Sequence, residues 1–167
     1  MDATIVIQRR FRGPPESGNG GYVSGRLAAY VDGIAEVTLR APPPLDAELE
    51  VKKGADGVVF LRRGEPIAEA APAECEIDAP PPPDFGQATA ASESYLGFRA
   101  HAFPGCFVCG PERSAPDGLR VFPGPIPGSS MVAAPWIPTQ ELADRENRIR
   151  AEFVWAVLDC PGYFALP

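Results

Sequence analysis

The segment formed by residues 13–31, GPPESGNGGYVSGRLAAYV, constrains the fold more than any other part of the sequence. Pro14 and Pro15 prevent a helix from running through the start of the segment, because proline lacks a backbone N–H and clashes with the preceding turn. From Gly21 onward, apolar residues recur at spacings of three and four, which predicts an amphipathic helix. These apolar residues are Val23, Leu27, Tyr30 and Val31.

The predicted helix also carries a stripe of small residues. Gly21, Gly25 and Ala29 recur every four residues, and such a stripe predicts close packing of the helix on a sheet. Asn19 precedes the helix and is a favoured N-cap residue, so the free N–H groups behind it would face a carbonyl group or an anion. Asp32-Gly33 is the predicted end of the helix.

Five strand-like runs accompany this helix. One precedes it, and four follow it without another helix between them. Most of these runs alternate apolar and polar residues, and Asp56-Gly57 is a hairpin signal between two of them. The runs cover residues 4–10, 35–40, 45–52, 58–61 and 67–77. One helix against an antiparallel sheet is the simplest way to bury these faces, so the sequence predicts an α+β fold.

Three phrases of the sequence resemble a group of bacterial hotdog-fold, thioesterase-like proteins. They are FRGPPESGNGGYVSGRLA, FPGCFVCGP and FVWAVLDCPG. The resemblance covers most of the chain and implies a hotdog fold, in which an antiparallel sheet wraps around a central helix. Hotdog domains also serve as dehydratases and as non-catalytic units, so the resemblance is less specific for activity.

A proline-rich segment, APPPPD, divides the sequence. It predicts a first hotdog unit over residues 1–78, a linker over 79–85, and a Cys-x-x-Cys loop with an incomplete second hotdog unit over 86–167. Within the last part we expect a helix over 86–95 and strands over 119–122 and 131–137. Aligning Gly18–Val23 with Asp159–Phe164 matches their Gly-Tyr pairs, and this repeat predicts that Pro161 opens a second central helix.

Composition restricts the possible partners. The net charge is −7, with 15 Lys and Arg against 22 Asp and Glu, which argues against a nucleic-acid partner. No apolar run has the length of a membrane span, and MDATIVIQRR is not a signal peptide. We therefore predict a cytoplasmic protein with no membrane partner, in which the four cysteines are mostly reduced.

The resemblance implies hydrolysis of an acyl thioester, such as acyl-CoA. This reaction needs a group that polarises the carbonyl and a base or nucleophile for the attack. The predicted site contains Asn19 as the carbonyl or water binder, Asp159 as the base, and the substrate-binding residues Gly20, Gly21 and Tyr22. The simpler alternative is that Asn19 and Asp159 are only helix caps.

Cys106 and Cys109 form a Cys-x-x-Cys motif, which is one half of many zinc sites. His101 and Cys160 would complete a four-ligand set, and a redox pair is a further alternative. Because a second Cys-x-x-Cys is missing, we predict packed, reduced thiols with no metal and no cofactor.

Three functions are thus open: a thioester hydrolase as the first, a non-catalytic acyl-binding or assembly subunit of hotdog fold as the second, and a metal or redox module as the third. The incomplete second unit would leave the apolar residues after Ala151 uncovered. We therefore expect a homo-oligomer, most simply a dimer.

Overall fold

The computed structural model of the chain describes residues 3–165. This part of the chain contains a five-stranded sheet, a two-stranded sheet and three α-helices. The strands are β1 (Ala3–Val6), β2 (Ala35–Leu39), β3 (Glu48–Lys53), β4 (Val58–Arg62), β5 (Glu65–Pro72), β6 (Gly124–Pro125) and β7 (Val132–Ala133). The helices are α1 (Gly20–Ala28), α2 (Phe85–Ser92) and α3 (Ala151–Phe164). The fold class is α+β, as predicted.

The five-stranded sheet is antiparallel, with strand order β1-β3-β4-β5-β2. All five predicted runs form strands of this sheet, although β1 ends at Val6 because a short 3-10 turn follows at Arg9–Phe11. The predicted hairpin at Asp56-Gly57 joins β3 to β4. A Cβ at Gly57 would lie only 2.1 Å from the carbonyl oxygen of Ala70, so this turn requires glycine.

Helix α1 begins where the sequence predicts it. Asn19 is its N-cap, and the Asn19 Oδ1 accepts a hydrogen bond of 2.9 Å from the Tyr22 N–H. The apolar side chains of Val23 and Leu27 are fully buried. The helix ends at Ala28, before the predicted end at Asp32-Gly33.

Helix α1 contacts the sheet strands β2, β4 and β5, but its small-residue face packs against α3, so the expectation that this face lies on the sheet is wrong. A Cβ at Gly21 would lie 2.6 Å from the Asp159 Cβ, and a Cβ at Gly25 would lie 2.5 Å from the Glu152 Cα. The stripe of small residues correctly indicates a close backbone approach. It does not identify the approaching element, because glycine fits equally well under a sheet or a helix.

Helix α3 differs from the helix that the repeat predicts. It begins at Ala151, eight residues before Asp159, so Pro161 lies inside the helix and does not open it. The apolar run before Asp159 already has helical phase, and the buried residues of α3, which are Phe153, Ala156 and Cys160, lie on one side of the helix. Helix α1 covers part of this face, which corrects the expectation that it is uncovered. Leu158 and Tyr163 are 72% and 67% exposed.

The rest of the second half has little regular structure. Helix α2 confirms the predicted helix over 86–95, and Asp84 and Gln87 form its capping box. The strand predicted over 131–137 shortens to β7, which pairs with β6. The segment 119–122 forms no strand. Its Leu119 and Val121 N–H groups instead donate to the carbonyl oxygens of Phe107 and Val108, which places the segment beside the Cys-x-x-Cys loop.

One hydrophobic core joins both halves of the chain. It includes Leu27, Leu49 and Phe60 from the first half together with Phe107 and Phe153 from the second. The division at residues 79–85 stays a prediction. Within residues 3–165, no helix has the length and apolar character needed to cross a membrane.

Candidate functional site

A cavity of 430 Å³ lies between the start of α1, the loop around the Cys-x-x-Cys motif, and the second half of α3. Helix α1 and its cap contribute Asn19 and Gly20. The residues from the other two segments include His101, Cys106, Cys109, Asp159 and Cys160. The structure thus brings together the predicted site residues Asn19, Gly20 and Asp159. Gly21 and Tyr22 do not line the cavity: Gly21 packs on α3, and the Tyr22 ring is buried and stacks on Phe11 at 4.1 Å.

Asp159 is bound to the first turn of α1. Its Oδ2 accepts a hydrogen bond of 3.0 Å from the Gly21 N–H. The residue as a whole is exposed, but its carboxylate lies against α1, and burial there raises the pKa of the carboxyl group. The hydrogen bond from Gly21 opposes this rise, since it stabilises the charged form. A carboxylate at a helix N-terminus is also favoured by the helix dipole.

Asn19 is 3% exposed, and protein groups contact both ends of its amide. Its Oδ1 caps the helix through the Tyr22 N–H, and its Nδ2 lies 3.7 Å from the Cys160 Sγ and 3.9 Å from the Cys106 Sγ. The amide therefore joins the start of α1 to two cysteines from other segments. The capping role is confirmed, whereas direct contact with a substrate carbonyl stays a prediction.

The backbone donors at the start of α1 are not equivalent. The N–H groups of Gly21 and Tyr22 donate to Asp159 and Asn19. The N–H of Gly20 has no acceptor among the residues that the structure describes, and Gly20 lines the cavity. Gly20 is therefore the donor in this turn that is free to meet a ligand.

Three cysteines meet beside this turn. The sulfur atoms of Cys106, Cys109 and Cys160 lie within 4.8 Å of one another, and all three residues are buried. The His101 Nε2 lies 3.4 Å from the Cys109 Sγ. The four residues that the sequence offers as a possible metal-ligand set, the three cysteines and His101, are thus neighbours in the structure.

The three thiols differ in pKa. The neighbouring side chains of Cys109 and Cys160 lower the pKa of Cys106, and the backbone N–H groups of Cys109 and Val108 add to this effect. The Cys106 side chain in turn raises the pKa of Cys109 to about 12 and also raises the pKa of Cys160. Burial lowers the pKa of His101, so its ring is neutral at pH 7.

The Cys-x-x-Cys loop is held by a residue that the sequence analysis misses. Arg113 is buried, and its Nε and Nη2 donate hydrogen bonds of 2.8 Å to the carbonyl oxygens of Gly105 and Arg10. It also forms an ion pair with Asp117. Nothing in the local sequence distinguishes Arg113 from a solvated arginine, because its acceptors are backbone oxygens, one of them 103 residues away.

Tyr95 supports the same loop from the other side. Its hydroxyl donates a hydrogen bond of 3.0 Å to the carbonyl oxygen of Cys109, and its ring stacks on Phe122 at 5.3 Å. Gly110 follows the second cysteine and allows the loop to close, since a Cβ there would lie 2.4 Å from the Pro104 carbonyl oxygen. The sulfur positions are therefore set by a well-connected scaffold.

In comparisons with known proteins, no family model, curated protein or solved structure matches this chain.

Proposed function

We propose that this chain is a hotdog-type hydrolase that cleaves an acyl thioester, such as acyl-CoA, in the 430 Å³ cavity. The observation that carries the proposal is the Asp159 carboxylate, which lies at the N-terminus of α1 in the wall of that cavity. The sheet of five antiparallel strands with α1 supports the hotdog assignment. The cavity volume is within the range of small-molecule sites.

In the proposed reaction, Asp159 is the general base. Its carboxylate takes a proton from a water molecule while the water oxygen attacks the thioester carbonyl carbon. The Gly20 N–H donates to the oxyanion that forms on the carbonyl oxygen. The intermediate then expels the thiolate, which receives the proton from Asp159, so the products are a carboxylic acid and a free thiol.

Asn19 acts in this proposal as a positioning residue. Its cap fixes the first turn of α1, which carries the Gly20 donor and the Gly21 partner of Asp159. A shift of this turn would move both groups relative to the substrate. Loss of the Asn19 amide is therefore expected to weaken catalysis less than loss of the base.

One observation favours a non-catalytic acyl-binding subunit as the second candidate. The hydrogen bond between Asp159 and the Gly21 N–H occupies one donor of the helix end and engages the Oδ2 of the carboxylate, so this oxygen is less available to take a proton from water. In that case the cavity would hold the acyl group without turnover.

The hydrolase proposal is tested with a panel of acyl-CoA substrates and the variant Asp159→Asn. We expect turnover by the wild-type chain and a loss of about 10²-fold or more in kcat for the variant, because the amide cannot accept the proton. Glu16→Gln is the matched control: this carboxylate precedes the same turn, is 83% exposed, and among residues 3–165 pairs only with Arg9. Its kcat should be unchanged.

Two results would contradict the proposal. Equal kcat values for wild type and Asp159→Asn would show that Asp159 is not the general base. Absence of turnover across the panel, together with saturable binding of a non-hydrolysable acyl-CoA analogue, would favour the acyl-binding subunit.

A further inference from the structure

We propose that Cys106, Cys109 and Cys160 bind one Zn²⁺ through their thiolates, with the fourth coordination position facing the cavity. The three sulfur atoms lie within 4.8 Å of one another and all three residues line the cavity wall. This site goes beyond the hydrolase proposal, which uses none of the three cysteines, and it replaces the prediction from sequence of packed thiols with no metal, because the structure brings a third sulfur to the Cys-x-x-Cys pair.

The spacing of the sulfur atoms fits one mononuclear zinc ion. Zinc prefers four tetrahedral ligands with Zn–S bonds of about 2.3 Å, which separates two ligand sulfurs by about 3.8 Å. A group of sulfurs within 4.8 Å of one another reaches this geometry by small side-chain rotations. Three protein ligands and one open position are the arrangement of catalytic zinc sites.

The surroundings of the sulfurs are suited to thiolates. The Asn19 Nδ2 faces both Cys106 and Cys160. Donors of this kind stabilise the negative charge of ligand sulfurs, and such outer contacts contribute about 10–100-fold to metal affinity.

His101 is a donor to the cluster and is not a fourth ligand in this arrangement. Its Nδ1 accepts a hydrogen bond of 2.9 Å from the Phe103 N–H. The neutral ring therefore carries its proton on Nε2, which lies 3.4 Å from the Cys109 Sγ. Zinc binding at Nε2 would require the proton to move to Nδ1 and the hydrogen bond from the Phe103 N–H to break, whereas the Nε2–H can donate to a thiolate as it stands.

The site would also connect distant parts of the fold. Cys106 and Cys109 belong to the loop that Arg113 and Tyr95 hold in place, and Cys160 belongs to α3. A metal ion at this point would cross-link the loop to α3 directly beside the start of α1. A disulfide would use only two of the three thiols and leave the third unpaired.

The test measures metal in the reduced, full-length chain purified without chelator. Elemental analysis should find one zinc per chain. After exchange with Co²⁺, the protein should show a near-ultraviolet thiolate-to-metal absorption band and the visible bands of a tetrahedral site. Cys106→Ser, Cys109→Ser and Cys160→Ser should each lower zinc affinity at least 100-fold in competition with a chromophoric chelator.

Cys75→Ser is the matched control, because Cys75 is exposed and lies outside the cluster. It should keep one zinc per chain, as should His101→Ala and Asp159→Asn. The last variant separates this proposal from the hydrolase proposal, because it removes the base and leaves the thiolates.

The proposal is overturned if the wild-type chain binds less than about 0.1 zinc per chain in the presence of excess Zn²⁺. It is also overturned if Co²⁺ binding gives no thiolate band, or if another metal is bound in preference to zinc. Loss of zinc in His101→Ala would show that His101 is the fourth ligand and that the fourth coordination position is not open. These measurements on the wild-type chain hold even if a cysteine variant fails to fold.

Discussion

At the scale of single residues, Asn19 has two roles that the sequence reveals unequally. Its capping role follows from local sequence, because asparagine before a run of helical residues is a favoured N-cap. Its contacts with Cys106 and Cys160 do not follow from local sequence, since these residues are 87 and 141 positions away. The same limit applies to Arg113, whose partner Arg10 is 103 positions away.

The two roles of Asn19 are separable by substitution. Asn19→Ala should cost about 1 kcal/mol in the free energy of unfolding through the lost cap, and it should lower kcat/KM by less than Asp159→Asn does. Asp84→Ala is the matched control, because it removes the cap of α2, which lies away from the cavity lining. It should cost a similar free energy in urea unfolding without changing kcat/KM. Equal kcat/KM in Asn19→Ala and wild type would contradict a positioning role.

At the scale of elements, the contact between α1 and α3 determines where the site forms. Every predicted strand of the five-stranded sheet is found, because strands are indicated by apolar–polar alternation and by turn residues that lie within a few positions of one another in the sequence. The partner of the small-residue stripe is not predicted, because a stripe specifies the distance of approach and nothing else. The sequence prediction also places the start of α3 too late. It relies on the short match around Asp159 and overlooks the helical spacing of the apolar residues before it.

Alanine substitutions at two glycines test this helix contact. Gly21→Ala should destabilise the chain by about 1–3 kcal/mol, because the added methyl group would overlap the Asp159 Cβ and the Trp155 carbonyl oxygen, each 2.6 Å away. Gly162→Ala in α3 is the control, since a Cβ there meets no atom within 4 Å. It should instead stabilise the chain by about 0.5–1 kcal/mol through helix propensity. Destabilisation of equal size by both variants in urea unfolding would mean that α1 and α3 do not touch at Gly21.

At the scale of the whole molecule, the predicted linker suggests two separate units, whereas the observed hydrophobic core is shared by both halves of the chain. The proline-rich segment 79–84 is a boundary in composition, and it lies in an exposed stretch without regular structure. The core nevertheless contains residues from both sides of it. The proline content of a segment indicates how stiff its backbone is. Whether the residues on its two sides form one core depends on long-range contacts, which no local sequence pattern encodes.

The expected homo-oligomer is a further prediction at this scale. The strands β1 and β2 are the two edges of the five-stranded sheet, and unpaired edges can pair with a second copy. Light scattering at micromolar concentration should therefore give a mass near twice the 17.7 kDa of one chain. Dilution should shift the mass toward the monomer value, and addition of a reducing agent is the control for cysteine cross-linking. A mass of one chain at all concentrations would contradict this prediction.

The hydrogen bond between Gly21 and Asp159 joins residues that are 138 positions apart, and this separation has a consequence in time. A ribosome that adds about 5–20 residues per second needs about 7–30 s to make the intervening chain. During that interval the growing chain has the start of α1, and later the Cys106–Cys109 pair, but neither Asp159 nor Cys160. The cavity and its three sulfurs are therefore completed only after residue 160 has been added, and until then the glycine face of α1 and the thiols of Cys106 and Cys109 are open to the contents of the cell.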